Sequence, residues 1–188
     1  NWAALGFQDG VDGRPITKFA ERTEQCQAYG ILSDQARYLE GRTRGLEAYC
    51  TPARGLAEGK QGAGYQNVCP AELEFSFLEG YELGREFYYA EREYQRAIDA
   101  YEDNLADLNR RVRQLNDRIG KYNNSEDDED REKFAGEIEA LRRIIDKLRN
   151  DSFYLRDRLA REERYFREFL FRYEQRERAF INRYGIAY

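Results

Sequence analysis

The sequence contains no histidine and no methionine, one tryptophan, three prolines and three cysteines in 188 residues. Without histidine, zinc sites lose their common nitrogen ligand, and the Ser-His and Cys-His pairs of covalent catalysis lose their base. Serine is scarce as well, limited to Ser33, Ser76, Ser125 and Ser152. The three cysteines, Cys26, Cys50 and Cys69, do not have metal-site spacing. No run approaches the roughly 18 apolar residues of a bilayer-spanning helix. Lys+Arg 31 against Asp+Glu 36 gives a net charge of −5, and the arginines are matched locally by acids. That argues against nucleic acid as a partner, since binding phosphate needs a concentrated basic face. The expectation is a non-catalytic protein with no cofactor and no resident metal.

What the sequence does have is heptad periodicity. From Leu73 a seam runs through Phe77, Gly80, Gly84, Phe87, Glu91, Tyr94, Ile98, Tyr101, Leu105, Leu108, Val112, Leu115 and Ile119 in alternating steps of three and four. A second seam of the same length runs from Phe134 through Ile138, Leu141, Ile145, Leu148, Ser152, Leu155, Leu159, Glu162, Phe166, Phe169, Tyr173 and Arg176 to Phe180. Folding the chain back between them pairs Ile119 with Phe134 and Leu73 with Phe180, and sets large side chains against small ones: Tyr101 on Ser152, Phe169 on Gly84, Tyr173 on Gly80. The fold class is therefore all-α, a long antiparallel helical hairpin over 70–185 with its tip at 121–131, carried on a Gly/Tyr/Cys-rich head over 1–69. At the tip Gly120 is expected to stop the first arm and Ser125 to cap the second. The acidic run from Glu126 to Asp130 reads as a solvated loop that complements the helix dipole, in preference to a site for a metal or basic partner.

Within the head, residues 1–15 read as an ordered loop, because Asp9-Gly10 and Asp12-Gly13 are turn dipeptides, with Trp2 and Phe7 as anchors. A calcium loop is disfavoured, since the alternating ligands and the closing Glu are missing. Short helices are expected over 16–29, from Ser33 to about Tyr49, and from Thr51-Pro52 to Gly62, before Pro70 opens the first arm. Gly41/Gly45, Gly55/Gly59 and Gly80/Gly84 are each four apart and share a helix face. Each interior glycine costs about 1 kcal/mol relative to alanine, so a close-packed neighbour is expected on every pair. Tyr38-Leu39-Glu40-Gly41-Arg42 is echoed by Phe77-Leu78-Glu79-Gly80-Tyr81, too briefly to establish a repeat.

One acid pair carries the only catalytic alternative: Glu91 and Glu162 fall in the same seam layer, and in a dry site one of them would be a general acid. A wet layer neutralised by nearby arginines is the preferred reading. Tyr88, Tyr89, Tyr154, Tyr165, Phe171, Tyr184 and Tyr188 lie outside the seam, and most are expected to pack the head helices onto the hairpin root. Tyr38, Arg42, Tyr65, Tyr81 and Arg85 are candidates for an interface, where Tyr and Arg are favoured. A Cys50–Cys69 disulfide would fix the root and imply an oxidising compartment. Cys26 would then be left over, or joined to one of the others instead.

The run Tyr38-x-x-Gly41-Arg42-x-x-Gly45-Leu46-x-x-Tyr49-Cys50-Thr51-Pro52-x-x-Gly55-x-x-x-Gly59-x-x-Gly62-x-x-Tyr65-x-x-Val68-Cys69-Pro70, with Gly80 and Gly84-Arg85 after it and Trp2, Asp9-Gly10 and Gly13 before it, resembles a proteobacterial envelope family of lipoproteins with a domain of unknown function. The likeness covers about residues 1 to 90. It implies a periplasmic protein tethered to the outer membrane through a lipidated cysteine just before Asn1, and the absence of an initiator Met fits a processed chain. It brings no activity with it. The expected function is a scaffold that binds an envelope or outer-membrane protein, with cell-wall glycan binding or acid-pair hydrolysis as the alternative.

Overall fold

The structure is a computed structural model describing residues 1–187; Tyr188, one of the aromatics noted above, lies outside the described residues. Six helices follow in order: α1 (Trp2–Val11), α2 (Lys18–Gln27), α3 (Gln35–Tyr49), α4 (Pro52–Lys60), α5 (Ala71–Asn124) and α6 (Asp128–Tyr184). There is no strand among the described residues. The chain forms two compact units, one of residues 1–90 with the stretch from Leu170 on, the other Glu91–Phe169. The expected division at 69/70 is thus displaced into α5, because the first turns of that helix are part of the head.

The N-terminal loop is a helix. Asn1 caps it by accepting from the Ala3 amide at 3.1 Å, and Trp2-Ala3-Ala4-Leu5 favours the first turn. Its glycines are packing positions within the helix, and only Gly13, at φ +63, makes a turn. Helices α3 and α4 start on side-chain caps, whereas α2 has none. Asp34, in place of the expected Ser33, accepts from Arg37 N at 3.0 Å, and Thr51 accepts from Arg54 N at 3.2 Å, with Pro52 in the first turn.

Two helix pairs within the first unit use the same contacts. Gly6, Gly10 and Gly13 recur 49 positions on as Gly55, Gly59 and Gly62, while Tyr38, Gly41, Gly45 and Tyr49 recur 39 positions on as Phe77, Gly80, Gly84 and Tyr88. A methyl built on Gly6 collides with Tyr38 O, and one on Gly55 with Phe77 O. One on Gly10 meets Gly45 Cα at 2.9 Å, and one on Gly59 meets Gly84 Cα at 3.0 Å. Substituents on Gly13 and Gly62 strike the rings of Tyr49 and Tyr88. The α1/α3 and α4/α5 pairs are therefore two copies of one module, in which backbone lies directly on backbone. A shared core of Leu46, Tyr49, Cys50, Phe77 and Tyr81 lies where the copies meet, with Tyr65, Val68, Leu73 and Leu78 around it. The Cys50–Cys69 disulfide, with Cα atoms 5.6 Å apart, ties the end of α3 to the start of α5. Cys26 is free and half-buried.

The C-terminal part of α6 completes this unit in a register one heptad away from expectation. Tyr173 packs on Phe87 with ring centroids 5.3 Å apart, where the seam put it on Gly80. Phe180, expected opposite Leu73, lies against Gly80 instead. The stripe is lined by α4 as well: a methyl on Gly80 or Gly84 would strike the backbone of Pro52, Leu56 or Lys60, so α6 does not have it to itself.

In the second unit Tyr94 stacks on Phe166 at 5.3 Å, the same heptad slip from the expected Leu159. Further along, Ser152 Oγ donates to Asn104 Oδ1 at 2.5 Å and Arg118 pairs with Glu137 at 2.6 Å, a smaller offset. Ala97, Ile138 and Ile145 are its buried positions, and Glu91 is exposed. Small Ala97 takes over the seam, so no dry Glu91/Glu162 layer forms. At the tip Gly120 does not stop α5, which continues to Asn124. Asp127, rather than Ser125, caps α6 by accepting from Glu129 N at 2.8 Å and Asp130 N at 3.1 Å.

Candidate functional site

Asp9 is the most buried acid of the first unit, at 0% exposure. α1 directs it inward on the face adjoining its glycines, and α2 and α3 each supply a donor. Arg22 Nη2 reaches Oδ1 at 2.8 Å, Arg22 Nε reaches Oδ2 at 3.3 Å, and the Tyr38 hydroxyl donates to Oδ2 at 2.9 Å. Arg14 Nε lies 3.8 Å from Oδ1. Burial alone would raise the Asp9 carboxyl, but the hydrogen bonds from Arg22 and Tyr38 and the charges of Arg22 and Arg14 outweigh it and hold the pKa below the ordinary value. The Tyr38 hydroxyl is pushed up to about 12 by burial and by its bond to Asp9. Such a carboxylate stays ionised and fully engaged. It locks α2 onto the α1/α3 pair and has little capacity left to abstract a proton.

The corresponding place in the second module is aromatic. Phe77 is 0% exposed, with the rings of Tyr49 and Tyr65 at 5.2 and 5.0 Å. Tyr81 OH donates to Ala63 O at 2.6 Å and accepts from Tyr65 N at 3.1 Å. Tyr65 OH donates to Glu74 at 2.9 Å and accepts from Cys69 N at 3.1 Å. Burial raises the Tyr65 pKa, the Cys69 amide opposes that rise, and the Glu74 bond adds to it. These hydroxyls hold the 61–69 segment against α5.

The five interface candidates are therefore distributed differently from expectation. Tyr38, Arg42 and Tyr81 are interior, with Arg42 donating to Arg14 O at 2.6 Å. Tyr65 is half-buried and committed to two hydrogen bonds. Arg85 is half-buried, with its guanidinium 5.6 Å from the Tyr81 ring centroid and 5.1 Å from that of Tyr89. The rings that do face solvent in this unit are Phe7, Tyr29, Phe75, Tyr89 and Phe171, at 44%, 83%, 75%, 51% and 69% exposure. Sequence reasoning missed Phe75 because it follows the seam residue Leu73 by two and so has no period of its own. It missed the Asp9–Arg22 pair because Asp9-Gly10 reads as a turn; the available signal was that Gly6, Gly10 and Gly13 have the spacing of Gly55, Gly59 and Gly62. Among the described residues no group of three or more Cys, Asp and Glu is placed to hold a metal, and no helix is long and apolar enough to cross a membrane.

This frame of paired glycines and a cystine is the part of the chain that is similar to a known family. Residues 1–86 match the family described as protein of unknown function (DUF2799). Nothing matches among curated proteins or solved structures. The matched stretch ends inside α5, just after Gly84, so it takes in the paired glycines of both modules and both cysteines of the disulfide.

Proposed function

We propose that the chain is a non-catalytic scaffold of a bacterial envelope, anchored to the outer membrane as a lipoprotein on its periplasmic side, where it binds a membrane-protein partner. The observation that carries this reading is the pairing of a cystine-tied, glycine-packed frame with large rings outside it. A disulfide such as Cys50–Cys69 persists in oxidising compartments. Phe75 and Phe171 leave more than two thirds of their surface in water, while the best-formed polar cluster, around Asp9, is committed to holding helices together. Rings on a rigid frame favour partner binding over chemistry. The lipid anchor and the outer membrane rest on the likeness of the motifs to envelope lipoproteins.

The test is affinity purification from detergent-solubilised envelopes with wild type and with Phe75→Ser/Phe171→Ser. A stoichiometric membrane protein recovered with the wild type and lost with the variant supports the reading. Saturable binding to purified cell wall, without a protein partner, replaces it with the glycan-binding alternative, which the exposed Tyr and Arg side chains also suit.

A further inference from the structure

The duplication supplies its own comparison. In the second module the C-terminal part of α6 lies along the α4/α5 face. Phe180 sits beside Gly80, Arg176 pairs with Glu86, and Arg183 and Tyr184 both donate to Glu79. The two acids are seven residues apart, and so are the two arginines. Shifting back by the repeat offset, Glu79 and Glu86 become Glu40 and Glu47, Gly80 becomes Gly41, and Leu56 becomes Phe7. The first module thus repeats both the acids and the glycine of the α6 seat. Leu56 is 8% exposed under its covering helix, but Phe7 is 44% exposed. Glu47 is exposed, and Glu40 holds only a loose ion pair with Arg44 at 3.8 Å, both side chains more than half in solvent, an interaction too weak to resist a competing guanidinium. α2 does not cover this face, since it docks through Trp2, Asp9 and Tyr38.

We propose that the α1/α3 face around Phe7, Glu40 and Glu47 is a docking site for an α-helix of a partner protein that carries an aromatic residue between two arginines seven apart. The helix runs antiparallel to α3, its first arginine on Glu47, its aromatic over Gly41 and Phe7, and its second arginine on Glu40. The face also differs from its twin: Ala48 stands where Phe87 meets Tyr173, Val11 where Lys60 pairs with Glu177, and Arg44 where Leu83 is buried. The partner therefore carries an acid or a polar residue at the place of Ala179. Charge complementarity makes the site selective for basic amphipathic helices, and the acid discriminates against the chain's own α6.

The proposal rests on the reading of the chain as an interaction protein and is tested separately from it. The probe is a stapled, fluorescein-labelled peptide with the sequence of residues 172–184 and Ala179→Glu, titrated with the full chain and followed by anisotropy. Saturable binding is expected, weakened about tenfold or more by Glu40→Lys/Glu47→Lys in the protein and by Phe180→Ala in the peptide. Phe7→Ser is a second protein variant with the same expected direction, and melting curves verify that each variant is folded. Absence of binding, or binding indifferent to Glu40 and Glu47, overturns the proposal; so does self-association that Glu47→Lys abolishes without any peptide binding, which assigns the face to a second copy. If the peptide fails while Phe75→Ser/Phe171→Ser still loses the envelope partner, this site falls and the proposed function stands.

Discussion

The two modules share a glycine frame and differ in how the frame is closed. In the first, position 42 is an arginine that donates to the carbonyl of residue 14; in the second, the equivalent position 81 is a tyrosine that donates to the carbonyl of residue 63. The hydrogen bond is kept although the donor differs. Where the first module buries Asp9 under Tyr38 and Arg22, the second places Glu58 in an ion pair with Arg54 at 2.9 Å and fills the interior with Phe77. The first depends on a polar lock, the second on rings and a cystine. Close backbone contact therefore sets the module, while side-chain chemistry around it is interchangeable.

Breaking the common frame should cost most. Gly45→Leu and Gly84→Leu each force a side chain into an opposing helix backbone, and a loss of at least about 3 kcal/mol is expected from either, read as loss of the cooperative thermal transition by circular dichroism. Next comes the cystine. Cys50→Ser/Cys69→Ser should remove about 3 kcal/mol, and reductant should lower the wild-type melting temperature while leaving the double variant unchanged.

Tyr38→Phe converts the first module's lock to the second's residue and should cost about 1–2 kcal/mol, since a buried carboxylate loses a donor. Its pH signature separates the modules. Because the Asp9 pKa is lowered on folding, its contribution is full above the unfolded value, near 4, and is lost as pH falls below it. In Tyr38→Phe the folded pKa moves back toward the unfolded one, so that loss should be smaller and complete at higher pH. At the alkaline end Tyr38 and Tyr49 are both raised to about 12, chiefly by burial. Both stabilise the fold fully below pH 10 and cease to do so as pH approaches 12, so urea midpoints should fall across that window. Tyr38→Phe should remove the first module's share and leave that of Tyr49. The smallest effect belongs to the exposed pairs on α6: Arg176→Ala and Arg183→Ala should each cost less than about 1 kcal/mol, provided Phe180 remains on Gly80.

The helical hairpin was legible because heptad seams report a helix pair through local spacing alone. The register was not, because the partner of Gly80 and Gly84 is decided by competition between α4 and α6, and that competition is tertiary. Paired glycines announced close packing without naming what packs. The duplication was hidden by its two offsets: α2 and its connections lengthen the path from Gly13 to Tyr38 relative to that from Gly62 to Phe77, so no single shift aligns both helices. α1 was obscured by the same chemistry that makes it useful, since glycine and aspartate inside a helix look like turns until the facing backbone is seen. Of the candidate site, the cystine could be proposed from sequence, but the inward placement of Tyr38, Arg42 and Tyr81 depends on which helix face is covered.

The link between Cys50 and Cys69 closes a ring that contains all of α4 and the glycine-rich turn after it. A protease that nicks the chain once between Gly62 and Gly64 would release nothing. The nicked molecule would run as a single species on a non-reducing gel and separate into two fragments only after reduction, so damage to this turn can accumulate without the protein leaving its place of action.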